Sequence, residues 1–189
     1  MHIQQFVMAY GVEQDRLRAL LPEGFTSLRP VLRINAEIRD GHTGYLEFNT
    51  AAEKDGLRGW LNIAHRTDVP FTQKGKTTTF RTDLLEISFT GVGVAGSCPA
   101  EKDNAGCFFL TPEETLRAPE LITANKEFCD CAFRWLLSEG AHGVSIGKTL
   151  PAYPTEVQHI YPHQPLTVEN AAAIPCQQVL GSYLVAFER

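Results

Sequence analysis

The sequence has no apolar run approaching the roughly 18 residues that a bilayer-spanning helix needs, so no membrane partner is expected. It also lacks an excess of basic charge, with 17 Lys and Arg against 22 Asp and Glu. A nucleic-acid partner is therefore not expected, because phosphate contacts demand a basic face. The opening "MHIQQFVMAYGVEQD" has no basic leader followed by an apolar stretch, which argues against a signal peptide. Five cysteines, an odd number, suit a secreted disulfide framework poorly. Cytoplasmic residence with reduced thiols is the expectation. Repeats, low-complexity tracts and linkers are missing too, so residues 1–189 are read as one domain.

Two motifs invite chemistry and then fail on context. Gly91, Gly93 and Gly96 spell G-x-G-x-x-G after a strand-like "LLEISFT". A dinucleotide site needs a helix next, whose N-terminus receives the pyrophosphate. The chain continues instead with "SCPAEKDNAGC", rich in turn formers, so a strand running into a glycine-rich loop is expected and no nucleotide cofactor. The cysteines lack the paired C-x2-C spacing of structural zinc sites. Cys129 and Cys131 fall on a predicted helix, where two residues apart means nearly opposite sides. His159 and His163 have Pro162 between them, which excludes helical His-His geometry, and no third ligand is evident. No metal or other cofactor is expected.

Short alternating segments dominate the rest. "IQQFVMAY", "VLRINAEIRD", "GYLEFNT", "LRGWLNIAHR", "TTTFRTDLLEISFTG", "GCFFL", "HGVSIG", "EVQHIY" and "QVLGSYLVAFER" read as strands. Three helices stand against them. Glu13 to Leu21 places Leu17, Leu20 and Leu21 on one stripe and stops before Pro22. "TPEETLRAPEL" has Thr111 as N-cap and Pro112 at the first helical position. "NKEFCDCAFRWLLSEG" puts Phe128, Ala132, Trp135 and Leu136 on one stripe. Eight or nine strands with about three short helices, without β-α-β alternation, indicate an α+β fold built on a curled antiparallel sheet or barrel.

One strand is chemically unusual. Arg33, Asn35, Glu37 and Arg39 occupy successive positions on one face of "VLRINAEIRD", while Leu32, Ile34, Ala36 and Ile38 face the core. From the residues alone the polar row is either a solvated face or the lining of a cavity.

The surrounding stretch, Ile3 to Ile38, resembles the opening of acetoacetate decarboxylase-like proteins. The matching residues are Arg16, Leu17, Leu20, Leu21, Pro22, Glu23, Pro30, Arg33 and Glu37. The resemblance implies a curled β-barrel with a small-molecule cavity, and so favours the cavity reading. Arg33 would then pair a substrate carboxylate, Asn35 would stand at the family's carboxylate position, and Glu37 on the same face would act as acid or base. A weaker likeness, "GKTLPAYPTEV", brings in Lys148 and Tyr153, but Thr155 and Glu156 stand where the family carries its lysine pair. Such a lysine must be unprotonated, which needs a dry pocket or an adjacent cation; acetoacetate decarboxylase is itself a standard example of that device.

Three functions are expected as alternatives. The first is a barrel that binds a small organic or keto acid through Arg33, Asn35, Glu37, Tyr153 and His159. The second is a decarboxylase-like lyase using Lys76 or Lys148 as nucleophile with Glu37 as acid or base. Lys76 sits in "QKGKT", which reads as an exposed turn. The third is a scaffold whose exposed strands build a homo-oligomer.

Overall fold

Alternation over residues 31–39 places that segment in the middle of one large sheet. The structure is a computed structural model that describes residues 1–101, 106–110, 121–137 and 161–189. Its strands are β1 (His2–Gly11), β2 (Thr26–Arg39), β3 (Thr43–Lys54), β4 (Leu57–Thr67), β5 (Phe71–Lys74), β6 (Thr77–Arg81), β7 (Leu85–Glu101), β8 (Cys107–Phe108), β9 (Leu121–Trp135) and β10 (Gln178–Glu188). Two short helices join them, α1 (Gln14–Arg18) and α2 (Val168–Ala172). The strand order is β5-β6-β7-β9-β10-β1-β2-β3-β4-β8. Every pairing is antiparallel except β4 with β8, which makes the sheet mixed rather than purely antiparallel. Asp55 and Gly56 turn β3 into β4 with φ of 52° and 77°, the positive values that a two-residue hairpin of matching twist requires.

The sheet curls around its apolar side chains. Phe6, Met8 and Tyr10 of β1, Leu32, Ile34, Ala36 and Ile38 of β2, and Leu46 and Phe48 of β3 form one buried cluster with Phe80, Leu85, Ile87 and Phe89. Leu17 of α1 and Leu20 just beyond its end cap it. Strands distant in sheet order meet across this core. Phe48 lies 4.9 Å from Trp135 of β9, and Phe6 lies 5.3 Å from Phe80 of β6, both edge to face. Edge strand β5 comes back to β1, where Gln73 Nε2 donates to Gln4 Oε1 at 3.4 Å. Among the described residues no helix is long and apolar enough to cross a membrane.

Several expectations are corrected. The helix expected over 125–140 is strand β9 where it is described. Its sequence carries a second period: Cys129, Cys131, Phe133 and Trp135 alternate and all four pack on the core. Pairing with both β7 and β10 satisfies the backbone that a helix would have satisfied internally. Cys129 and Cys131 therefore share a face, and burial pushes their thiols up to about 11 and about 12. Among the described residues no group of three or more His, Cys, Asp or Glu is placed to hold a metal.

The glycine-rich stretch is not a passage into a loop either. It stays in β7, with a register shift between Gly91 and Ala95. "TTTFRTDLLEISFTG" is a hairpin of β6 and β7 rather than one strand. Helix α2 has no counterpart among the expected elements, although "TVEN" carries its signal: Thr167 is the N-cap and its hydroxyl accepts from the Asn170 N–H at 3.2 Å. The helix expected over 111–121 lies outside the described residues except for Leu121, which opens β9, and so do the strands over 142–147 and 156–161 except for Tyr161.

Phe48 is fully buried at the contact between β3 and β9. Phe48→Ala is expected to cost about 3–5 kcal/mol, read from the midpoint of urea denaturation.

Candidate functional site

The opposite face of the same strands is polar, and it is buried too. Arg33, Asn35 and Glu37 of β2 stand opposite Asn49, Glu47 and Tyr45 of β3, respectively. Glu47 in turn faces His65 of β4, and Asn49 faces Asn62. Glu37 and Glu47 are both 0% exposed, and Asn35 is 1% exposed. The neighbouring strand contributes Ile3, Gln5 and Val7, all buried, to the same face. The row is therefore desolvated, not a solvated strand face.

Burial makes each carboxylate depend on its donors. Glu47 has three. Arg33 NH2 at 3.1 Å and Asn35 Nδ2 at 3.0 Å donate to its Oε1, and the Tyr45 hydroxyl donates to its Oε2 at 3.1 Å. Burial first, and then the adjacent Glu47 charge, pushes the Tyr45 phenol far above its ordinary value, so it remains a donor. The Arg33 guanidinium also lies 3.8 Å from the Trp60 ring centre, which suits a weakly hydrated planar cation.

Glu37 is held differently. Arg39 Nε and NH2 both approach its Oε2 at 2.8 Å, and Arg189 NH2 stands 3.7 Å from its Oε1. That Oε1 accepts no hydrogen bond. Among the amide atoms of the row, Asn35 Oδ1 and Asn49 Nδ2 likewise make none. Asn35 cannot be flipped to relieve this, because its nitrogen faces the Glu47 carboxylate.

A relay continues toward the rim. Asn62 Nδ2 donates to Asn49 Oδ1 at 3.0 Å and to the Ala64 carbonyl at 3.2 Å. The Asn62 oxygen then faces His65 Nδ1 at 3.2 Å, which fixes the proton on Nδ1 in the neutral ring. His65 is exposed, stacks on Tyr45 and meets Phe109 edge to face. Beside it opens a cleft of about 350 Å³ lined by Asn62, His65, Arg66, Phe109 and Leu166.

No family model and no curated protein matches the chain. Solved structures do. The acetoacetate decarboxylase of Legionella pneumophila subsp. pneumophila str. Philadelphia 1 superposes with a TM-score of 0.55 at 11% identity, covering 98% of this chain and 81% of that one. A second acetoacetate decarboxylase structure gives 0.54 at 10% identity, covering 98% and 82%. This chain shares the acetoacetate decarboxylase fold.

On that fold the expected residues separate. Arg33, Asn35, Glu37 and Arg39 do stand together, but the partner of Arg33 is Glu47, and Glu37 is paired by Arg39 and Arg189 instead. Lys76 is not with them: it is exposed beside Gly75, at the turn between β5 and β6, in a cleft on the core side of the sheet. Lys148, Tyr153 and His159 lie outside the described residues.

Sequence reading missed Glu47, Tyr45, Asn49, Asn62 and Lys126. The alternation of "GYLEFNT" could have shown the first three as one face. Lys126 was hidden by the helix expectation. It is 4% exposed on the same side as the polar row, aligned through Val185 and Gln5 with Glu37. Its ammonium lies 3.6 Å from the Tyr183 ring centre and, among the described residues, pairs with no carboxylate.

Arg33→Ala strips a buried carboxylate of its charged donor and should cost about 3–5 kcal/mol in urea denaturation. The Tyr45 and Tyr10 phenols are both raised by burial. The stability they contribute is complete below the ordinary phenol value of 10.0 and is lost as pH rises above it. Ultraviolet titration should show these two phenols ionising only together with loss of the fold.

Proposed function

We propose that the chain binds a small organic acid of the keto-acid class on the buried polar face of β2, β3 and β4. The observation that carries this reading is the set of unpaired buried atoms, Asn35 Oδ1, Glu37 Oε1 and Asn49 Nδ2. Buried polar atoms without hydrogen bonds are costly, and a ligand offering both an acceptor and a proton relieves Asn49 Nδ2 and Glu37 Oε1. A carboxylate or carbonyl oxygen takes the Asn49 N–H, within the positive field of Arg33. A hydroxyl, enol or α-proton of the ligand faces Glu37 Oε1, the one oxygen of the two site carboxylates that is without a hydrogen bond. Glu47 accepts three hydrogen bonds, on both of its oxygens, and acts as the anchor of the site rather than as its acid or base. The likeness of fold to acetoacetate decarboxylase supports a small-molecule site on this scaffold without naming the ligand.

Calorimetric titration with a panel of short 2-keto and 3-keto acids tests the reading. At least one should bind, and Asn49→Ala should weaken it by about tenfold, the worth of one hydrogen bond to a charged group. Failure of the whole panel to bind would sink the proposal.

A second reading, a lyase that forms an imine through a lysine, is favoured by one observation: Lys126 is buried against a ring and, among the described residues, pairs with no carboxylate. Borohydride with a keto acid would then leave a covalent adduct detected by mass spectrometry, and Lys126→Met would abolish it. An adduct-free protein that still binds the acid supports binding alone.

A further inference from the structure

The core side of the sheet carries a second cleft, of about 500 Å³, where β5 returns to β1. Its lining comes from six strands and the β5–β6 turn, and its polar side chains are Lys76, Glu127, Gln4, Gln73 and Thr78. Phe6 and Leu184 supply apolar lining, and Gln4 accepts from Gln73.

The glycines of "TGVGVAG" explain why a carboxylate can stand there. Glu127 Oε1 accepts the Gly93 N–H at 3.0 Å, lying flat on β7. A Cβ at Gly91 would collide with that same oxygen and push the carboxylate aside. Gly93 has φ of 73° at the bulge, a backbone state that other residues adopt with strain. The Lys76 ammonium comes within 3.6 Å of where a Gly93 Cβ would stand. The cation and the anion thus flank one glycine, yet no ion pair joins them among the described residues. The motif read as a possible phosphate cradle instead seats a carboxylate opposite an amine.

We propose that this cleft binds an α-amino acid as its zwitterion. The ligand ammonium meets Glu127 and the ligand carboxylate meets Lys76. A short apolar side chain lies on Phe6 and Leu184, next to the Gln4 and Gln73 amides. Fixing Glu127 on a backbone N–H lowers the ordering cost of binding, because one of the two charged groups is already in place. Opposite charges held apart across an opening favour a ligand carrying both signs and disfavour either singly charged relative.

The site is separate from the polar face of β2 to β4, so its test is separable from that of the keto-acid proposal. The full chain is titrated calorimetrically with L-leucine, with isopentylamine, which lacks the carboxylate, and with 4-methyl-2-oxopentanoate, which lacks the amine. Leucine is expected to bind at least tenfold more tightly than isopentylamine. Lys76→Met and Glu127→Gln should each weaken leucine tenfold or more, and neither should alter keto-acid binding at the other face. Lys76 is exposed, so its variant is expected to fold normally even if Glu127→Gln does not. Absence of leucine binding, equal binding of the amine, or unchanged leucine affinity in Lys76→Met would each overturn the proposal. Binding of 4-methyl-2-oxopentanoate that survives both substitutions belongs to the other face and leaves the leucine comparison to decide.

Discussion

A carboxylate cannot be buried alone, and the central strands are organised around that constraint. Glu47 is fully enclosed in the middle of the sheet. Its charge is compensated from β2 by Arg33 and Asn35 and from its own strand by Tyr45. Taking an ion out of water costs several kcal/mol, recovered only when its partners are correctly placed. A slip of one residue between β2 and β3 would exchange the two faces of β3 and put Glu47 where Leu46 and Phe48 meet the core. The ion cluster thus enforces register as strongly as the apolar side does, and the alternation of Leu46, Glu47 and Phe48 expresses both demands in three consecutive residues.

This arrangement divides the labour between the two site carboxylates. Both Glu47 oxygens already accept from protein donors. Glu37 meets both of its arginines at the edge of the row and retains an oxygen that accepts no hydrogen bond. Equal burial therefore leaves one carboxylate held on both oxygens and one that keeps an oxygen without a hydrogen bond. The apolar neighbours Ile3, Val7 and Val185 exclude water from this side and strengthen every charge interaction within it. The exposed His65, reached through Asn62 and Asn49, is the nearest titratable group with access to solvent along that relay.

The likeness to acetoacetate decarboxylase covers nearly the whole chain at 11% identity, which is a statement about backbone course. A shared scaffold hosts many chemistries, and the residues on it decide which one. Here the buried polar residues of the site sit on three adjacent strands, whereas Lys76, among the lysines singled out in the sequence, stands apart from them on the core side. The two clefts also lie on different faces of one sheet, so a change at one can leave the other intact.

How much was legible in the sequence depended on how local each signal was. The alternation in β1, β2, β3 and β4 read correctly because period two survives any tertiary context that keeps one face buried. The row Arg33, Asn35, Glu37 and Arg39 was legible as a row for the same reason. Residues 125–135 misled because Phe128, Ala132 and Trp135 satisfy a helical stripe while Cys129, Cys131, Phe133 and Trp135 satisfy a strand. Only the open edges of β7 and β10, far away in sequence, made the strand the better partner. The pairing of Arg33 with Glu47, the burial of the polar row, and the seating of Glu127 on Gly93 were likewise beyond sequence reading. Each joins residues that neighbour one another only after the sheet has assembled and curled. The sequence by itself determined which residues alternate and which turns are tight, because those are short-range steric facts. The tertiary structure decided which polar face lost its water and which charges then had to meet, because desolvation is a property of the whole assembled sheet.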